Sequence, residues 1–278
     1  MAIKDLLVAY QGDEGSNTAL KFALQMAKKY DATVTGAHVH VREHYASQVR
    51  TWIPEDVLER VHEAEQEAVA TIEKSFRAVI AESGVDARHD WIALEGPPSL
   101  LLSRLVRSFD LLLTGQFEGA IRHGGRVVQP EELLLRSGKP MIIVPQGYNV
   151  RPFKEEAAVA WDGSRSAARA LTDAMQILET KKKLHVVTVS RDGESEDTQR
   201  LGDHDIFEHL KRHGIDAQPA KLQLEGGVGR TILDYCDKID PDVLVMGAYG
   251  RGNIGALLFG GVSRHVLEHQ TVPVMMSH

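Results

Sequence analysis

Short runs of apolar residues recur along the chain in the same order twice. In the first half they cover residues 6–9, 33–39, 90–94, 111–113 and 141–144, and in the second half 157–160, 184–189, 220–224, 243–246 and 272–276. The runs are continuous rather than alternating, which is typical of strands that are covered on both faces of a sheet.

Helix-like segments separate these runs. Residues 18–29 place Ala19, Phe22 and Met26 on one stripe, and residues 165–178 repeat the pattern. The first half carries an additional long amphipathic segment, at about residues 54–83, between its second and third strands. Strands that alternate with helices predict βαβ units and a parallel sheet, so the chain is α/β.

The two halves also match in local sequence. Val8-Ala9-Tyr10-Gln11-Gly12 parallels Val159-Ala160-Trp161-Asp162-Gly163, and Leu94-Glu95-Gly96 parallels Leu224-Glu225-Gly226. A linker that contains Pro and Gly at 145–152 separates them. We therefore predict two tandem domains, at residues 1–147 and 148–278.

Composition narrows the class of protein. The 278 residues are 43% hydrophobic and 26% charged, as in a soluble globular protein, and the net charge of −7 argues against a nucleic-acid binder. No apolar stretch is long enough for a bilayer, and the N-terminus does not resemble a signal peptide, so we expect a cytoplasmic protein without a membrane partner. The single cysteine, Cys236, lies in a helix-like segment, which predicts a buried structural thiol.

A glycine-rich segment near the C-terminus is the main candidate for chemistry. Gly247 and Gly250 follow the apolar run 242–246, and Gly260 follows nine residues later, before a helix-like segment. Glycines let backbone N–H groups approach an anion closely, and a helix N-terminus favours phosphate. The alternative is a tight strand–loop–helix connection that binds nothing.

This spacing resembles the Gly-x2-Gly-x9-Gly-Ser/Thr motif of the universal stress protein family. Gly247, Gly250 and Gly260 match it, whereas Gly261 stands where the family has Ser or Thr, and Ser263 is the nearest hydroxyl. The resemblance implies two Rossmann-like domains of the adenine nucleotide α-hydrolase type, each a five-stranded parallel sheet with helices on both faces. It also implies an intramolecular pseudo-dimer, with residues 140–145 and 272–276 as the pairing edges.

The resemblance further implies a stress-response role and an adenine nucleotide ligand, ATP, ADP or AMP, with Mg²⁺ as a companion ion. Val159-Ala160-Trp161-Asp162-Gly163-Ser164 is similar to the family's Val-Asp-Gly-Ser signature, whose Asp lies against adenine and ribose. The candidate nucleotide-binding residues are Ala160, Trp161, Asp162, Ser190, Met246, Gly247, Gly250, Arg251, Gly260, Gly261, Val262 and Ser263.

Each polar candidate also has a purely structural interpretation. Asp162 or Ser164 could cap the helix that starts at Arg165, and Ser263 could be a helix N-cap. Arg251 could neutralise a phosphate or be an exposed loop arginine.

The first half has a degenerate version of this site. Tyr10 and Gln11 replace the strand-end Asp, and Gln129-Pro130-Glu131-Glu132 replaces the third glycine. Carboxylates at a helix start repel phosphate, so we predict no nucleotide there in the family's pose.

Other motifs are weaker. Residues 250–255 read G-x-G-x-x-G but lack the continuing fold and acidic residue of a dinucleotide site. His38, His40 and His44, or His265 and His269, have ligand-like spacing but no cysteine partner, so we predict no metal site.

We find no constellation of catalytic residues, so at most slow ATP hydrolysis is expected. Three functions stay open at this point: nucleotide-dependent regulation with unidentified protein partners, a weak ATPase, and a scaffold without nucleotide. A homodimer of the whole chain is also left open.

Overall fold

A computed structural model describes residues 3–41, 54–116, 130–190, 206–248 and 260–278. In the N-terminal half, the strands are β1 (Asp5–Ala9), β2 (Thr33–His40), β3 (His89–Glu95), β4 (Leu111–Gly115) and β5 (Met141–Val144), and the helices are α1 (Glu14–Tyr30), α2 (Glu55–Ser83), α3 (Pro98–Leu105) and α4 (Pro130–Ser137). In the C-terminal half, the strands are β6 (Glu156–Ala160), β7 (Lys183–Ser190), β8 (Ala217–Gln223), β9 (Val243–Gly247) and β10 (Val274–Ser277), and the helices are α5 (Arg165–Leu178), α6 (Val228–Ile239) and α7 (Gly261–His269). Residues 206–212 are also helical.

The strands form one sheet in the order β3-β2-β1-β4-β5-β10-β9-β6-β7-β8. Every neighbouring pair is parallel except β5 and β10, which pair antiparallel. Each half therefore contributes five parallel strands in the same order, and the last strands join them. This confirms the α/β class and the predicted pairing edges.

The register at this junction is symmetric. Ile142 lies opposite Met275, and the flanking pairs are Ile143 with Val274 and Met141 with Met276. Since Ile142 and Met275 hold corresponding positions in the two repeats, an approximate two-fold axis passes between them. The chain thus reproduces internally the isologous contact of a symmetric dimer.

Helices cover both faces of the sheet. On one face, α1, the C-terminal part of α2, and α5 pack over side chains such as Leu6, Val34 and Val159, and the opposite face buries residues of α3, α4, α6 and α7. The long α2 approaches β2 closely, because a Cβ built on Gly36 would lie 2.5 Å from the ring of Phe76. Coverage on both faces explains the continuous apolar runs.

In the structure the linker between β5 and β6 spans residues 145–155, and a buried ion cluster joins it to both halves. The side chains of Lys181 and Asp242 are 3% and 2% exposed and lie 2.8 Å apart (Nζ to Oδ2). Glu155 of the linker lies 3.5 Å from Lys181 and also pairs with Lys29 at the end of α1. Phe153 packs edge-on against Phe22 with ring centroids 5.4 Å apart. Both charged and aromatic linker residues therefore fix the halves together.

Two predicted strands differ in extent. β8 begins earlier than expected and ends at Gln223, so Leu224 lies beyond the strand and is exposed. β10 starts at Val274 rather than Val272, since Pro273 contributes only its carbonyl, which accepts from Leu244 N at 2.9 Å. Cys236 is fully buried in α6 as predicted, and burial raises the pKa of its thiol to about 12.

No helix within the described ranges is long and apolar enough to cross a membrane.

Candidate functional site

The carboxyl ends of three neighbouring strands meet in the C-terminal half. β6 lies between β7 and β9, with Ala160 opposite Val187 and Val159 opposite Val245. The ends of β6 and β9 place Ala160, Trp161, Met246 and Gly247 side by side, and Ser190 ends β7 three residues beyond Val187. In an open α/β sheet, ligands bind beyond such ends.

Asp162 follows β6 and forms a local turn. Its Oδ1 accepts from Ser164 N at 2.9 Å, while Ser164 is the N-cap of α5 and accepts from Ala167 N at 3.2 Å. The capping interpretation is therefore confirmed for Ser164. Asp162 is exposed, whereas Trp161 is half-buried. The backbone N–H of Trp161 donates to Val187 O at 2.8 Å. An ionised carboxylate accepts hydrogen bonds at both of its oxygens, which is the chemistry that binds a ligand's hydroxyl or amine.

Gly247 has a packing role that the motif did not reveal. A Cβ built on it would lie 2.4 Å from the carbonyl carbon of Ser166, in the first turn of α5. Gly115, at the corresponding end of β4, would meet Gly15 of α1 at the same distance. Because the half without the full motif needs the same glycine, close helix packing alone accounts for this position.

The start of α7 is built from glycine. Gly260 is the N-cap and Gly261 the first helical residue, so the N-cap position offers no side chain to the first-turn N–H groups. The start of α7 lies beside the start of α6, since a Cβ on Gly229 would be 3.3 Å from Val262 O. This contact places the positive end of α7 at the carboxyl edge of the sheet.

The structure corrects the prediction that Ser263 caps α7. Ser263 is the third residue of α7 rather than its N-cap, and it is only 3% exposed. Val262 is half-buried and Gly261 is exposed. The accessible donors at this helix start are therefore backbone groups, because the serine that would replace the missing motif hydroxyl points into the protein.

The corresponding strand end in the N-terminal half is filled. Tyr10 is fully buried, and its hydroxyl contacts Asn17 Oδ1 at 2.5 Å and Ser75 Oγ at 3.0 Å. Its ring packs edge-on against Phe76 and Trp91. Burial, the largest influence, raises the pKa of Tyr10. An aromatic residue of α2 thus fills the space next to this strand end.

The third-glycine position also differs between the halves. α4 begins at Pro130, a residue suited to the first helical turn, and Glu132 pairs with Arg136 at 2.8 Å. The helices that begin near the third-glycine position therefore start differently in the two halves, α7 on glycine and α4 on proline.

Histidines at the strand ends take part in protein contacts. His38 is buried, and its Nδ1 lies 3.1 Å from Tyr10 O, while its ring stacks on Trp91 and His40. Burial lowers the pKa of His38.

A second buried histidine was missed from the sequence. His185 of β7 lies 2.7 Å from Glu156 Oε1 through Nε2 and 2.8 Å from the Tyr235 hydroxyl through Nδ1. The sequence did contain a signal for this site, because His185 is a polar residue within the apolar run 184–189.

Several predicted residues lie outside the described part of the chain. Gly250 and Arg251 are among them, as are the 250–255 motif, Gln129 and His44. Among the residues that are described, no group of three or more His, Cys, Asp or Glu side chains could hold a metal ion.

Comparison with known proteins gives a consistent result over the whole chain. A family model described as the universal stress protein family matches residues 2–145 and again residues 156–278. Universal stress protein Slr1230 of Synechocystis is 28% identical over 180 residues, which is 63% of this chain and 60% of that protein. A universal stress protein of Mycolicibacterium smegmatis is 30% identical over 138 residues, covering 49% of this chain and 95% of that protein.

Solved structures share the fold over nearly the full length. A universal stress protein from Archaeoglobus fulgidus matches with a TM-score of 0.71 at 19% identity, covering 98% of this chain and 97% of that one. A putative universal stress protein from Pseudomonas aeruginosa UCBPP-PA14 matches with a TM-score of 0.60 at 16% identity, covering 99% and 93%.

Proposed function

The chain belongs to the universal stress protein family, and on that premise we propose that its C-terminal half binds ATP or a related adenine nucleotide as a regulatory ligand. The ligand would lie at the carboxyl ends of β6, β7 and β9. We assign this role to the domain of residues 148–278, and to residues 1–147 a role as a partner without nucleotide in that pose.

One observation carries the proposal: α7 starts on Gly260 and Gly261 at the same sheet edge as the exposed Asp162. Phosphate would accept from the backbone N–H groups of Gly261, Val262 and Ser263, and the helix dipole favours its charge. Asp162 would accept from a ribose hydroxyl or the exocyclic amine. Trp161 and Ala160 would flank the base.

The N–H donors require no side chain, so the absence of a Ser or Thr at Gly261 weakens the site without removing it. Mg²⁺ would accompany the phosphates. Because binding groups are present and no catalytic residue is assigned, a regulatory role fits better than turnover.

The test compares two caps at Gly260 that differ only in charge. No described atom lies within 4 Å of a Cβ built there, and its φ of −60° suits any residue. Asn and Asp both cap helices well, but only Asp places a carboxylate among the phosphate donors. We expect Gly260→Asp to weaken ATP binding at least tenfold relative to Gly260→Asn, measured by calorimetry.

A complementary variant tests the departure from the motif. Gly261→Ser restores the family's hydroxyl, again without a clash with described atoms, and is expected to tighten ATP binding severalfold. Asp162→Ala should remove most of the ATP-dependent rise in melting temperature. If ATP, ADP and AMP at millimolar concentration leave the melting temperature of the wild type unchanged, the proposal is wrong and the scaffold interpretation replaces it.

A further inference from the structure

We infer that His209 and His213 form a chelating site for one divalent transition-metal ion, such as Zn²⁺ or Ni²⁺, on the surface of the C-terminal half. The site is separate from the proposed nucleotide site and does not depend on it. It also departs from the expectation of no metal site, which rested on other histidines.

The two histidines are one helical turn apart. The backbone N–H of His213 donates to His209 O at 3.3 Å, so the helical path extends to His213. Their ring centroids lie 4.8 Å apart with 59° between the planes. Two imidazoles that bind one Zn²⁺ at about 2.0–2.1 Å with tetrahedral angles have centroids about 5 Å apart. The observed separation is therefore close to that of a chelate.

A carboxylate lies within ion-pair distance of one of the two imidazoles. Glu179, which caps the end of α5, has its Oε1 3.5 Å from His213 Nδ1. Histidines that bind metals commonly give their second ring N–H to a carboxylate, which fixes the tautomer. With the proton on Nδ1, Nε2 of His213 carries the lone pair that a metal needs.

The surroundings allow a hydrated ion to enter. The side chains of His213 and Glu179 are 44% and 47% exposed, so water can complete the coordination. Since no cluster of three or more ligating side chains occurs in the described ranges, the protein supplies two ligands and the site is open. Two imidazole ligands with no thiolate suit Zn²⁺, Ni²⁺ or Cu²⁺ rather than Mg²⁺.

A second histidine pair provides an internal control. His265 and His269 in α7 have the same spacing, but their rings stack 4.3 Å apart with only 19° between planes, and His269 Nδ1 lies 2.9 Å from His265 O. Nearly parallel rings direct their nitrogens side by side rather than toward one point. This pair is therefore expected to bind metal more weakly.

The experiment is a calorimetric titration of the full chain with Ni²⁺, and separately with Zn²⁺, at neutral pH. We expect one site whose affinity falls at least tenfold in His209→Gln or His213→Gln, and severalfold in Glu179→Gln. The variants His265→Gln and His269→Gln should leave it unchanged.

Circular dichroism verifies that each variant is folded, as exposed positions should allow. Undiminished binding in the double variant His209→Gln/His213→Gln would overturn the inference. So would equal losses in the α7 variants, because the metal would then be held elsewhere.

Discussion

In the N-terminal half, the residue after β1 is the buried Tyr10, whereas in the C-terminal half the residue after β6 is the half-buried Trp161, followed by the exposed Asp162. Both halves have the same strand order and the same close approach of helix to glycine at β4 and β9. Among the described residues, the difference is that Phe76 of α2 packs on Tyr10 at one strand end, whereas Trp161 is only partly buried at the other. Duplicated folds can therefore keep their scaffold and differ in their sites.

The aspartates that precede β4 and β9 allow a second comparison of the two halves. Asp110 accepts from the backbone N–H groups of Lys4 and Asp5 at 2.7 and 3.0 Å, and Asp242 accepts from those of Lys154 and Glu155 at 2.9 and 2.8 Å. Only Asp242 also binds a buried lysine, Lys181. The shared contact belongs to the fold, and the additional charge lies where the linker joins the halves.

The largest predicted effect follows from this contrast. Asp242→Ala would leave Lys181 buried without its carboxylate, and breaking a buried pair in this way costs about 3–5 kcal/mol. Asp110→Ala loses hydrogen bonds at a half-buried site and should cost about 1–3 kcal/mol. Urea denaturation of both variants measures the difference in unfolding free energy. Equal losses would show that the ion cluster does not strengthen the junction.

The next effect concerns the glycines that end β4 and β9. Gly115→Ala and Gly247→Ala each place a methyl group 2.4 Å from helix backbone, which cannot rotate away. Overpacking of this kind costs about 1–3 kcal/mol or more. We expect similar losses of unfolding free energy in both halves. A loss confined to Gly115→Ala would mean that Gly247 is required for something other than packing.

Much of this architecture could be predicted from the sequence. The continuous apolar runs 6–9 and 157–160 required strands covered on both faces, and the repeated order required two similar halves. The junction between β5 and β10 came from the family resemblance, since nothing in the composition of a strand specifies its partner.

The site was less predictable. Ser263 differs from its predicted capping role because α7 starts three residues earlier than that role requires, and helix boundaries are the least certain part of a sequence pattern. The partners of His185 and Lys181 come from distant segments: Tyr235 is 50 residues away, and Asp242 is 61 residues away. Such pairings depend on tertiary packing, which local periodicity does not encode.

A smaller effect is expected at Tyr10. Tyr10→Phe keeps the ring that packs on Phe76 and Trp91 but removes the hydroxyl that contacts Asn17 and Ser75. The expected loss is about 1–2 kcal/mol, because polar groups are left with fewer partners. The control Trp161→Phe should change stability less, since Trp161 is only partly buried whereas Tyr10 is fully buried. Thermal or urea unfolding of both variants compares the two strand ends directly, and equal losses would contradict the contrast between them.

The smallest expected effect is a pH dependence of stability that arises at Glu156, the first residue of β6. Burial raises the pKa of Glu156, but hydrogen bonds from Lys183 and His185 outweigh it and hold the pKa below its ordinary value of 4.5. When a carboxyl has a lower pKa in the folded state than in the unfolded state, its ionisation stabilises the protein at any pH above the unfolded-state pKa. This contribution is lost as the pH falls through the folded-state pKa. The stability difference between wild type and Glu156→Gln should therefore be constant near neutral pH and shrink once the pH falls below that ordinary value. The corresponding residue at the start of β1 is the exposed Asp5, so Asp5→Asn is the matched substitution in the other half. Urea midpoints measured from pH 7 to pH 3 test this, and a Glu156→Gln difference that stays constant to pH 3 would show that Lys183 and His185 do not stabilise the ionised carboxylate.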